Sequence, residues 1–171
     1  MTMSMTRRQL LRRLVGLSAL GIVPAACARP ESGLGTLQKP AEFWKPLLTP
    51  AAFGVLFHED TEPPFSSPLY QEHRKGVFVC AACHLPLFSS DAKYESGTGW
   101  PSFFQPLPDA VATKSDRRLF VERTEYHCVR CGGHHGHVFD DGPKPTGLRY
   151  CNNGVALRFI PQDAALPALR G

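Results

Sequence analysis

Two short motifs, Cys80-Ala-Ala-Cys83 and Cys128-Val-Arg-Cys131, restrict this chain more than anything else in it. Each is a knuckle that turns the backbone so that two sulfurs aim at one point, and two knuckles together close a tetrahedral shell. The 44 residues between Cys83 and Cys128 must therefore leave that point and return to it. Four thiolates suit Zn²⁺, which binds sulfur at about 2.3 Å and has no redox chemistry of its own. A closed shell leaves no open position, so one such ion per chain is expected to staple the fold and not to catalyse. The competing reading of the same cysteines is two disulfides in an exported protein. A thiol–disulfide oxidoreductase with one CxxC as its redox pair is a further alternative.

Export is itself written into the chain. Residues 1–28 carry Arg7, Arg8, Arg12 and Arg13 and no acid, then an apolar run from Leu14 to Val23, then small residues. The run is short for a bilayer span, and the pattern reads as an export signal peptide. Arg7-Arg8 with Leu10-Leu11 behind it resembles the twin-arginine signal; the plain alternative is a secretory leader rich in arginine. Ala26-Cys27-Ala28 offers a cleavage site that would release a soluble protein. Val23-Pro24-Ala25-Ala26-Cys27 resembles a lipobox that would anchor the protein to the membrane through a lipidated Cys27. Residues 29–40 read as a linker and 41–171 as one domain. A twin-arginine route carries folded proteins, so the metal could mask four sulfurs before export to an oxidising periplasm. Beyond residue 28 the chain has 15 basic and 15 acidic residues, which leaves no electrostatic case for nucleic acid. Its hydrophobic content of 43% excludes disorder and a multi-span membrane protein.

The domain reads as α+β, with short N-terminal helices packed on small antiparallel sheets. Pro40 to Glu62 has helical spacing, with Pro46 and Pro50 expected to break it into two short helices. Gly76–Cys80, Arg118–His127 and Gly154–Ile160 read as strands, and 15 Gly and 16 Pro supply the turns between short elements.

Once the four knuckle cysteines and Cys27 are set aside, Cys151 remains. A lone cysteine by itself reads as a small buried hydrophobe. Its neighbours argue for a nucleophile. Arg149 can favour a thiolate, and Asn153 offers an amide on the same face of an extended chain. His134, His135 and His137 follow the second knuckle, which fixes where their rings point. His134 and His137 are candidate proton donors, while His135 breaks the alternation and is expected to face away. A second metal site is the weaker reading, because no carboxylates nearby complete it. His58, His73, His84 and His127 read as surface or packing residues. Trp100 follows a Gly-rich bend and precedes Pro101, which would hold its indole face as a rigid platform for a methyl or thioether group.

These stretches together resemble the B-type peptide-methionine (R)-S-oxide reductases. TEPPFSSPLY (61–70), GVFVCAACHLPLFSS (76–90), SGTGWPSF (96–103), RTEYHCVRCGGHHGHVF (123–139) and DDGPKPTGLRYCNNGVALRF (140–159) carry the likeness. It spans about residues 45–160. The resemblance implies zinc on Cys80, Cys83, Cys128 and Cys131, with Cys151 as nucleophile. His134, His137, Asn153 and Glu125 are its expected catalytic partners. Trp100, Phe139 and Arg149 are expected to receive the substrate. It also implies oxidised proteins as substrates, a Cys151 sulfenic acid as intermediate, and a thioredoxin-like thiol as reductant; a monomer is expected. Two departures stand out. Thr98 occupies the place where many members carry a resolving cysteine, so external thiols must regenerate Cys151. His135 stands where a leucine is usual and is expected to add a polar side chain beside the site. The rival from another class is a zinc-ribbon binding module, which would have no use for Cys151.

Overall fold

Gly76–Cys80 is a strand, as expected; it is the centre of a small sheet, and its last three residues are buried on both faces. The computed structural model describes residues 36–37, 39–117 and 122–171. The export signal, most of the linker and the first residues of the expected Arg118–His127 strand lie outside the described residues. Helix α1 (Ala41–Trp44) runs into a 3₁₀ turn over Lys45–Leu47, and α2 follows over Pro50–His58. Two short helices were expected and two are found, separated by the Lys45–Leu47 turn, with Pro50 as the first residue of the second. At the first helical position a missing N–H costs nothing, and Thr49 caps the end by accepting from Ala52 N at 3.2 Å.

Nine strands follow among the described residues: β1 (Gly76–Cys80), β2 (Pro86–Ser89), β3 (Lys93–Tyr94), β4 (Ser102–Phe103), β5 (Val111–Asp116), β6 (Arg123–Cys128), β7 (His134–Phe139), β8 (Arg149–Asn152) and β9 (Leu157–Pro161). They form a three-stranded sheet, β2-β1-β9, and a six-stranded sheet, β3-β4-β8-β7-β6-β5, with every pair antiparallel. The fold is α+β with strands dominant. The expected Gly154–Ile160 strand begins only at Leu157, because Gly154–Ala156 is a 3₁₀ turn. An aromatic layer ties the two sheets together. Phe78 and Phe88 of the small sheet meet Phe103 of the large one at ring separations of 4.9 and 4.4 Å, and Tyr126 and Tyr150 extend the cluster. These rings hold the inner faces of the sheets against each other and leave an outer face of the large sheet free to carry chemistry.

Candidate active site and metal centre

Strand register builds the site. Cys151 on β8 lies opposite Ser102 of β4 on one side and His137 of β7 on the other. His137 in turn lies opposite Glu125 of β6. Residues directly opposed across strands point to the same face with Cβ atoms about 5 Å apart, so these side chains form one row across the sheet. A β-bulge brings in another member. The register of β6 and β7 shifts between Tyr126 and His127, so His134 and His135 together oppose His127. The extra residue returns His134 to the face of His137, with ring centroids 5.5 Å apart. His135 is thrown to the opposite face, where it is fully buried and stacks on Tyr126 at 6.4 Å. It faces away from the site, as expected, and the bulge is what turns it there. It does not add a polar side chain beside the site, because it lies in the core; burial, then repulsion from His134, drives its pKa down to about 3, so it is a neutral ring there.

A pocket of about 140 Å³ opens over this row, lined by Thr61, Trp100, Arg123, Gly136, His137, Phe139, Cys151, Asn152 and Asn153. It is well below the several hundred Å³ that a drug-sized ligand fills, and suits the tip of one side chain. Gly136 makes the geometry possible. A Cβ there would stand 1.8 Å from the Cys151 carbonyl oxygen, so only glycine lets β7 and β8 close to this distance. The Trp100 indole is fixed by its Nε1–H, which donates to Glu62 O at 3.1 Å.

Cys151 is half-buried and unpaired. Burial pushes its thiol above the ordinary value of 9.0, while the Arg149 charge and hydrogen bonds from Thr98 and Arg149 pull it back. Arg149 lies behind the pocket wall. Its Nε and Nη2 both donate to the Asp141 carboxylate at 2.8 Å, and its guanidinium stacks 4.4 Å from the Phe139 ring. His137 Nε2 contacts Asp116 Oδ2 at 2.7 Å, and Arg123 Nη2 donates to the same oxygen at 2.6 Å. Burial lowers the His137 pKa and the Asp116 hydrogen bond opposes it. Glu125 is buried beneath the row and bridges His134 Nδ1 at 2.8 Å and His127 Nδ1 at 3.1 Å. Burial pushes that carboxyl up, but the hydrogen bonds from His127 and His134 outweigh it and hold the group at about 2.

Of the residues expected from sequence, Cys151, His137, Trp100, Phe139 and Asn153 line the pocket, while His134, Glu125 and Arg149 support it from behind. The Asn153 side chain is committed to backbone: its Oδ1 accepts from Glu62 N at 3.0 Å and its Nδ2 donates to His135 O at 3.1 Å. Sequence reasoning missed Asp116, Arg123, Thr61 and Glu62, and placed His127 among surface or packing residues. Glu62 is the most consequential omission. Its buried carboxylate accepts from Gly154 N and from Val155 N, capping the turn after Cys151. The quoted stretch TEPPF already held Thr61 and Glu62, but nothing in residue spacing tied them to Cys151.

The four knuckle sulfurs gather away from the pocket. Their ligand atoms all lie within 4.8 Å of one another, buried, with Cys80 Sγ 3.7 Å from Cys131 and Cys83 Sγ 3.5 Å from Cys128. Four sulfurs at about 2.3 Å around a tetrahedral centre would stand roughly 3.8 Å apart, so the residues fit a metal ion. The cluster joins the end of β1 to the end of β6, and so pins the small sheet to the large one.

A family model for the SelR domain matches residues 48–161. The chain belongs to the MsrB family of peptide methionine sulfoxide reductases. It is 54% identical over 124 residues to the peptide methionine sulfoxide reductase MsrB of Leptospira interrogans, covering 72% of this chain and 95% of that protein. Identity to the enzyme of the same name from Methanosarcina barkeri is 54% over 128 residues, covering 74% and 90%. For that from Agrobacterium fabrum it is 50% over 119 residues, covering 69% and 88%. The family match spans every residue of the pocket described above, from Thr61 to Asn153, together with all four knuckle cysteines.

Proposed function

We propose that this enzyme reduces methionine-(R)-sulfoxide, chiefly in oxidised proteins, with Cys151 as its one catalytic thiol. The observation that carries the reading is the juxtaposition of Cys151 and His137 across β8 and β7, beneath a side-chain-sized pocket walled by Trp100. The indole and the Phe139 ring receive the S-methyl group. The Cys151 thiolate attacks the sulfoxide sulfur while a proton reaches the oxygen through His137. The S–S bond so formed breaks as the protonated oxygen passes from the substrate sulfur to the Cys151 sulfur, which is left oxidised by two electrons as a sulfenic acid while methionine leaves reduced by the same two. Two equivalents of an external thiol then return Cys151 to the thiol, releasing water and a disulfide. Thr98, whose hydroxyl favours the Cys151 thiolate, stands where many relatives of this family carry a second thiol.

Cys80, Cys83, Cys128 and Cys131 would hold Zn²⁺, which supplies cross-linking of the two sheets and no chemistry at Cys151. The partners are oxidised proteins and a thioredoxin-like reductant, with no nucleic acid and a monomeric enzyme. The leader supports twin-arginine export to the periplasm, with residues 1–28 as signal, 29–40 as linker and 41–171 as the enzyme domain. N-terminal mass spectrometry of the exported protein separates cleavage after Ala28 from a lipidated Cys27. The function is tested by assaying the separate R and S epimers of a methionine-sulfoxide peptide with dithiothreitol. The R epimer is consumed and the S epimer persists; turnover of the S epimer, or of neither, contradicts the reading.

A further inference from the structure

Phe65 holds an unusual position. Its φ of 62° lies in the left-handed region, which a bulky side chain rarely adopts, and the residue is nevertheless 64% exposed. The other non-glycine residues with positive φ among the described residues have local reasons: Glu59 closes α2, His84 closes the first knuckle, and Asp109 belongs to a type that tolerates this region. Phe65 gains no burial from its strain, which points to a role at the surface.

That surface adjoins the pocket. Phe65 N donates to Gly99 O at 2.7 Å, and the ring lies over Gly99 so closely that a Cβ there would stand 2.9 Å from Cδ2 and Cε2. Gly99, at φ 90°, is the residue before Trp100. The same segment contributes Thr61 to the pocket wall and Glu62 O to the Trp100 indole. Pro63 and Pro64 are exposed beside Phe65, so the patch is apolar and its backbone is stiff. On its far side Phe65 meets Tyr70 edge-on at 5.3 Å, and the two border a groove of about 300 Å³ that Ser66, Ser67, Pro68 and Gln71 also line.

We infer that Phe65 and Tyr70 form a second subsite, which takes an aliphatic or aromatic side chain one or two residues from the methionine sulfoxide in an extended polypeptide. An extended chain advances about 3.5 Å per residue, which matches a ring packed on the residue next to Trp100. The occupant is the substrate chain itself, because the patch is continuous with the wall that holds its sulfoxide. The subsite makes the enzyme prefer methionines in apolar stretches, which become accessible when an oxidised protein unfolds.

This inference rests on the proposed function, and one experiment separates the two. Kinetics are measured on N-acetylmethionine (R)-sulfoxide and on two pentapeptides with central (R)-sulfoxide, one flanked by leucine and one by serine. The wild type is compared with Phe65→Gly, which removes the ring and relieves the backbone, and with Phe65→Leu, which keeps an apolar side chain. Wild-type kcat/KM is expected to favour the leucine-flanked peptide by about three- to tenfold, through KM. The ratio falls towards one in Phe65→Gly and is largely kept in Phe65→Leu. A wild-type ratio near one, or an undiminished ratio in Phe65→Gly, overturns the subsite. So does an equal loss on all three substrates, which would make Phe65 a framework residue. A concentration-dependent dimer in sedimentation that Phe65→Gly disperses would give the patch to a second copy of the chain, and overturns it too. A wild type that reduces none of the three sulfoxides refutes the proposed function, and the subsite with it.

Discussion

Burial and charge pull Cys151 in opposite directions. Its half-buried sulfur is held above 9.0 by desolvation, and the Arg149 guanidinium and the Thr98 hydroxyl stabilise the thiolate against that. The proposed attack therefore requires Cys151 to lose its proton against the cost of burial. The sign of the effect is testable. Alkylation of Cys151 by iodoacetamide, followed by peptide mass spectrometry, should rise with pH through a midpoint above 9.0. Arg149→Met removes the stabilising charge and should move that midpoint higher; a downward shift would contradict the role given to Arg149. At this scale sequence spacing found Cys151, His137 and Trp100, because each stands beside a turn or knuckle that fixes its direction. It did not find Asp116, Arg123 or Glu62, which reach the site through tertiary pairing from segments with no local signature. His127 was misjudged for the same reason: only the buried Glu125 carboxylate makes it part of the network.

Among the elements, β7 decides the site. Its bulge sorts three nearly consecutive histidines onto two faces, His134 and His137 on the side of Cys151 and His135 in the core, which no simple period-2 reading can do. The break in alternation at His135 was legible, but its burial against Tyr126 was not, since neutral histidine in a core needs a partner surface that sequence does not show. Gly136 is the tightest constraint in the strand. Gly136→Ala sets a methyl against the Cys151 carbonyl, where the backbone of β8 must give way. The expected outcome is a loss of about 1–3 kcal/mol of stability or more, with a larger loss of kcat/KM as Cys151 and His137 separate. Wild-type melting temperature and activity in this variant would contradict the register argument. The 3₁₀ turn at Gly154–Ala156 makes the same point about legibility: the Glu62 carboxylate from far upstream accepts from Gly154 N and Val155 N and holds them in a turn, a partner no local pattern shows.

For the molecule as a whole, two sheets meet through an aromatic layer and a cluster of four sulfurs, and the enzyme's rigidity depends on both. The cluster was fully legible, because CxxC spacing is a local geometric fact repeated twice, whereas the order of strands in the large sheet was not, since short strands carry no mark of their neighbours. One metal ion per chain is expected, and structural zinc in peptides contributes on the order of 10–16 kcal/mol at pH 7. Cys128→Ser should therefore lose the metal and unfold at a markedly lower temperature; a metal-free protein of full thermal stability would refute the staple. In the proposed reaction the electrons come from one thiol, Cys151, which is left as a sulfenic acid for an outside reductant. The most direct measurement is a single turnover of the metal-loaded, pre-reduced enzyme with a methionine-(R)-sulfoxide peptide and dimedone present, followed by peptide mapping. The account predicts one methionine per chain with dimedone on Cys151 and no disulfide; an internal disulfide joining Cys151 to any other cysteine of the chain would contradict it.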